Sequence, residues 1–329
     1  MTSLKGGLMN RTPEQTLNEQ TLYDIFINQL ELNSGNGLIE IKNVNKVPFN
    51  QKRMVEQAQK LGVDAVYFVN GNPVLYFKRL SIRSNETIRD LQHKIWNQGR
   101  VPFLIIITPG EIRVINAQSI PVFDSDNITD NRHQIYPISG NELSNELLDL
   151  NTVERAQAVI TQILFPFQRE SIDSNNIWEN QQIKEAIKNY DRIDRRLLRG
   201  LRSVRENLLQ DKIPEDVINS LLIRSFLIMY LQDRKALPDN SVQSSNNNEC
   251  DFLEILQNYN DTYAFFDALS DRFNGTVFRV TELERTQIQQ KHLLILRKML
   301  LGVDLQTGQE PLFRLYRFEH IPIEMISCL

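Results

Sequence analysis

The stretch from Val63 to Leu80 constrains the fold more tightly than any other part of the chain. Val63 to Val69 is a nearly unbroken run of β-formers, Asn70-Gly71 follows, and Pro73 to Leu80 is a second such run. Asn-Gly supplies two adjacent residues that tolerate positive φ, which the tightest hairpin turns require. The stretch therefore predicts a β-hairpin. Neither strand alternates cleanly between apolar and polar residues, so both belong inside a sheet covered on both faces.

The flanking residues extend this unit. Gln51 to Leu61 reads as a helix stopped by Gly62. Glu86 to Gln98 reads as another, with Ile88, Leu91, Ile95 and Trp96 along one side. Val101 to Thr108 is a second apolar strand, Pro109-Gly110 turns it, and Ile112 to Ala117 returns. Residues 50–117 thus read as α–β–β–α–β–β around one layered core. Before them, Thr12-Pro13-Glu14-Gln15 carries helix-start chemistry, and Leu17, Leu22, Ile25, Phe26, Leu30 and Leu32 continue the pattern to an Asn/Gly-rich stop. Leu38 to Ile41 reads as a short strand. After Glu142 the pattern is helical, with candidates at 142–163, 178–210, 214–236, 249–273, 279–301 and from about 322. Ser241 to Asn248 reads as a low-complexity loop. The expected organisation is a tail and helix over 1–49, an α/β module over 50–140 and a helical region over 141–329, an α+β chain in all. A length of 329 residues agrees with about two domains.

Composition removes several classes of function. Hydrophobic residues make up 41% and charged residues 24%, which excludes disorder throughout. Lys and Arg number 37 against 41 Asp and Glu, so bulk positive charge does not hold this chain to nucleic acid, although a local patch can. Cys250 and Cys328 are too few for a disulfide scaffold or a four-Cys zinc site. The four histidines show no metal-ligand spacing. No run of 18 apolar residues and no apolar leader is present, and the expectation is a cytoplasmic chain without a membrane partner.

Three constellations carry candidate chemistry. In divalent-metal nucleases of the PD-(D/E)xK kind, an Asp on one hairpin strand and an acid-x-Lys on the next hold Mg²⁺ and position the attacking water. Asp64 and Lys78 stand at suitable places, Asp64 as candidate metal ligand and both as candidate catalytic residues. Tyr76 occupies the position of the second acid, and a phenol with a pKa near 10 is not an anionic ligand at pH 7. The site is therefore degenerate, and a purely structural hairpin is the alternative. Glu40-Ile41-Lys42 also spells acid-x-Lys, but it precedes Asp64 and reads as chance. The second constellation is a basic helix. Arg192, Arg195, Arg196 and Arg199 share one face, Arg202 and Arg205 continue it with some drift, and Ile193, Leu197, Leu201, Val204 and Leu208 form the opposite apolar face. From Lys184 to Arg205 there are eight basic and three acidic residues. Planar guanidinium forks suit phosphate oxygens, and a solvated face paired with Asp191, Asp194 and Glu206 is the alternative. Third, Arg100 sits in the loop Trp96–Phe103 between a helix and a strand, where it can meet phosphate, whereas Trp96, Gly99 and Phe103 read as packing.

Several ordered stretches together resemble the N-terminal half of restriction–modification proteins that carry an adenine-N6 DNA methyltransferase domain. They are Asp64-Ala65-Val66-Tyr67-Phe68, Leu75-Tyr76-Phe77-Lys78, Ile95 to Leu104, Tyr230 to Arg234, Phe273 to Phe278 and Tyr316 to Ser327. The resemblance spans roughly residues 50–329. It implies a restriction-endonuclease-like module followed by a helical connector, duplex DNA as partner, and a role in antiphage defence. The methyltransferase motifs of such proteins, including the S-adenosylmethionine loop, would follow Leu329, so this chain is expected neither to bind the methyl donor nor to methylate. Ile321 to Leu329 begins an apolar helix and stops, which favours reading the chain as truncated. The leading expectation is a non-catalytic segment that contacts DNA through the basic helix. The alternatives are a Mg²⁺-dependent endonuclease and an interaction subunit that docks a separate methylase.

Overall fold

The computed structural model of the chain describes residues 17–329 except 34, 36, 43–46, 122–133, 140–149, 151, 188–191, 238–250, 274, 306, 312 and 328–329. The helix-start residues 12–15, the 241–248 loop and the first part of the 142–163 helix lie outside the described residues. The chain forms two compact units, one of residues 1–93 and 100–188, the other of residues 94–99 and 189–329.

The first unit is α+β. It comprises α1 (Glu19–Gln29), β1 (Leu38–Glu40), α2 (Phe49–Leu61), β2 (Ala65–Val69), β3 (Asn72–Arg79), the greater part of α3 (Asn85–Gln98), β4 (Phe103–Thr108), β5 (Glu111–Asn116), β6 (Gln134–Ser139), α4 (Val153–Ile163), α5 (Arg169–Asp173) and α6 (Gln181–Ala186). The six strands form one mixed sheet in sequence order. The β3–β4 pair, joined through α3, is parallel, and every other neighbouring pair is antiparallel. The hairpin forms where the sequence places it: Ala65 pairs with Phe77 and Val66 with Tyr76, and both turn residues have positive φ, 49° at Asn70 and 81° at Gly71. Gly62 ends α2 at φ 86°, a conformation costly for a residue with a Cβ.

Both faces of the sheet are covered, as the lack of alternation implies. All of β4 and β5 is buried. One face carries Ala65, Tyr67, Leu75, Phe77, Phe103, Ile105 and Val114, packed with Phe26 of α1 and Ile160 of α4. Trp178 stacks on Phe103 at 5.5 Å between ring centroids. Helices α1 and α4–α6 thus complete the core of the sheet, and the first unit runs to residue 188, past the 140/141 boundary read from the sequence. The reason is long-range burial, which a polar stretch along the chain does not reveal.

The second unit is helical. It holds the last turn of α3, α7 (Ile193–Gln210), α8 (Glu215–Asp233), α9 (Phe252–Ile255), α10 (Tyr259–Phe273), α11 (Glu282–Gln287), α12 (Gln290–Leu301) and α13 (Ile323–Ser327). The helices expected over 178–210, 249–273 and 279–301 are each broken. Asn180 caps α6 through its side chain and α6 ends at Ala186, residues 256–258 separate α9 from α10, and the chain is extended at Ile288 and Gln289. Amphipathic periodicity continues across such breaks, so it does not locate them. Inside α8, Arg224 is fully buried and forms a two-pronged ion pair with Glu284, at 2.6 and 3.1 Å. Among the described residues no helix is long and apolar enough to cross a membrane.

Candidate functional site

The hairpin brings Asp64, just before the start of β2, together with Lys78, near the end of β3. Lys78 Nζ donates to the Gly62 carbonyl at 2.7 Å and reaches Asp64 Oδ1 at 3.4 Å. The carbonyl is one that the end of α2 leaves without a helical partner, so the lysine serves as a helix-terminal cation. Asp64 Oδ2 accepts the Arg79 backbone N–H at 2.7 Å and lies 3.8 Å from Arg79 Nε.

Arg79 links this pair to a residue that the sequence reading set aside. Its guanidinium donates to Glu40 at 3.2 Å and to Gln20 at 3.0 Å, and it lies 4.4 Å from the centre of the Tyr23 ring. The Tyr23 hydroxyl bonds Glu40, and burial together with that bond raises the Tyr23 phenol above its ordinary value. Glu40 reaches the site because β1 pairs with β2, Glu40 opposite Ala65. The clue was the acid in the short Leu38–Ile41 strand. Its place depended on a pairing between segments 25 residues apart.

Magnesium, which the nuclease resemblance would imply, needs several oxygen ligands in near-octahedral array. Tyr76, at the second-acid position, is wholly buried. Asp64 and Glu40 both face the Arg79 cation instead of an open coordination space. Among the described residues no three His, Cys, Asp or Glu side chains form a metal-binding group. The donor set as placed does not fit the ion.

The basic helix carries both exposed and half-buried arginines. Ile193, Leu197, Val204 and Leu208 are buried, as the apolar face requires. Arg192 stands at the cap before α7 and pairs with Asp194 at 3.1 Å. Arg196 is half-buried and donates to the Gly302 carbonyl at 3.3 Å. Arg205 bonds Glu215 and Asn219, each at 2.7 Å. Arg195, Arg199 and Arg202 are exposed, at i, i+4 and i+7, a stripe about 10 Å long. Among the described residues Arg195 and Arg202 have no ion-pair partner. Arg100 is half-buried, with its Nε withdrawn from solvent.

No family model, curated protein or solved structure matches the chain.

Proposed function

We propose that the chain is a non-catalytic DNA-contacting module of the restriction–modification kind, holding duplex DNA through α7. The observation that carries the reading is the exposed stripe Arg195–Arg199–Arg202 in a chain of net charge −4. A basic stripe on a chain of net negative charge offers an anionic partner a local place to bind. Phosphate contacts of this sort position a duplex without reading its sequence. The nuclease-like module is read as inactive because the Asp64 carboxylate is already engaged by Lys78 and by the Arg79 backbone.

Fluorescence anisotropy with duplex DNA at several salt concentrations tests the reading. For three phosphate contacts log K is expected to fall against log [salt] with a slope of about −2 to −3. Arg195→Glu with Arg202→Glu should weaken binding at least tenfold. Absent binding, or binding indifferent to these changes, would overturn the DNA contact. Supercoiled plasmid should survive incubation with the protein and Mg²⁺. Nicking that is lost in Asp64→Ala and in Lys78→Ala would replace this reading with the enzymatic one.

A further inference from the structure

Helix α7, the end of α12 and the chain that follows it line a partly open cavity of about 30 Å³. A buried water needs roughly 10–15 Å³ on this scale, so the space takes about two water-sized groups. Its polar lining is Arg196, Arg199, Ser203, Asp304 and Tyr316, and Met299 contributes an apolar wall. The half-buried Arg196 and the exposed Arg199 of α7 thus share one recess in which hydroxyls are also present.

We propose that this cavity seats a single phosphoryl group, with two of its unesterified oxygens filling the space of two water-sized groups. Four features converge on that ligand. Two guanidiniums against one carboxylate leave the recess cationic. Arg196 is already held by the Gly302 carbonyl, so little ordering remains to be done on binding. Tyr316 is 2% exposed; burial pushes its phenol up to about 12 and the neighbouring Arg196 and Arg199 act against that rise, leaving a neutral O–H donor at neutral pH. The recess is partly open to solvent and has room for about two water-sized groups, so a phosphoryl group enters with its ester substituent left outside, and the seat reads no sequence. The group is presented by a DNA strand or by a free phosphate ester, and the first source rests on the DNA-contact reading above.

Thermal unfolding with inorganic phosphate, at ionic strength fixed with chloride, tests the seat without DNA. Phosphate is expected to raise the midpoint saturably and chloride is not. Arg199→Gln, and Ser203→Leu, which fills the recess, should abolish the rise. Asp304→Asn removes the opposing charge and keeps an oxygen acceptor for the Thr307 backbone N–H, now bonded at 3.1 Å; it should tighten phosphate binding at least threefold. Equal responses to both anions, or a phosphate response that survives Ser203→Leu and is unchanged by Asp304→Asn, would overturn the seat. Duplex DNA then identifies the source. Weaker duplex binding by Ser203→Leu, with competition from phosphate, assigns the group to the strand; unchanged duplex binding assigns it to a free ester. Saturable phosphate binding with no duplex binding keeps the seat and removes the DNA reading. Duplex binding without a phosphate response does the reverse.

Discussion

Arg224 shows what a single buried charge demands of its surroundings. Besides the two contacts to Glu284, its guanidinium donates to the carbonyls of Val277 at 3.1 Å and Arg279 at 2.9 Å, and it lies 4.7 Å from the centre of the Phe266 ring. Tyr263 adds a long contact to Glu284 at 3.4 Å. Removing one partner strands the other charge without water. Glu284→Ala is therefore expected to cost about 3–5 kcal/mol in urea unfolding, while Arg224→Met combined with Glu284→Leu should regain most of that loss. A single-variant cost below about 1 kcal/mol would contradict the closed pair. None of this was legible in the sequence, where Arg224 interrupts an apolar run and its partner lies 60 positions away. At the candidate site, Asp64 and Lys78 were legible because one short turn joins them. Glu40 was not, because its arrival depends on strand pairing across a helix.

Elements announced by local chemistry were the most readable. The Asn70-Gly71 turn and the Gly62 stop each follow from backbone freedom at one or two residues, and both stand where the sequence reading placed them. Helix breaks at Asn180 and Gln289, and the packing of α1 and α4 on the sheet, depend on partners far along the chain. The contact between α7 and α12 is of that second kind. Asp211, which ends α7, faces the first turn of α12, where Lys291 Nζ lies at 2.5 Å and His292 Nε2 at 2.9 Å from its carboxylate. The Gln289 backbone N–H donates to His292 Nδ1 at 3.0 Å, which assigns the ring hydrogen to Nε2 and makes that nitrogen the donor to Asp211. The hydrogen bond from Lys291, then that from His292, hold the Asp211 carboxyl below its ordinary value. A depressed carboxyl stabilises the fold above its unfolded pKa and loses that contribution as pH falls through the folded value. Asp211→Asn should accordingly lower the unfolding midpoint at pH 7, and the difference from the unaltered protein should shrink as pH drops below about 4. A difference constant from pH 7 to pH 2 would contradict the assignment.

At the scale of the whole molecule, two cores divide the chain, and each contains one of its two tryptophans. Trp178 stacks on Phe103 in the first unit, and Trp96 stacks on Tyr316 in the second, with centroids 6.4 Å apart. Trp96→Phe and Trp178→Phe variants therefore each leave one reporter. Denaturant curves followed by their fluorescence are expected to have different midpoints, since units with their own cores unfold on their own terms; coincident curves would show a single cooperative body. Net charge and globular composition were readable at this scale, and the DNA reading uses the contrast between overall acidity and one basic helix. The division between units was not readable, because the second unit is discontinuous in the chain. Asn97, six residues before β4 begins and more than two hundred from its partners, donates to the Leu315 carbonyl at 3.2 Å and accepts the Arg317 backbone N–H at 2.9 Å. Scissors applied at residue 189 would part α7 to α13 from Trp96 and Asn97 and orphan a carbonyl, an amide and the face of a tyrosine ring, so dissection by sequence order is the wrong tool for this protein.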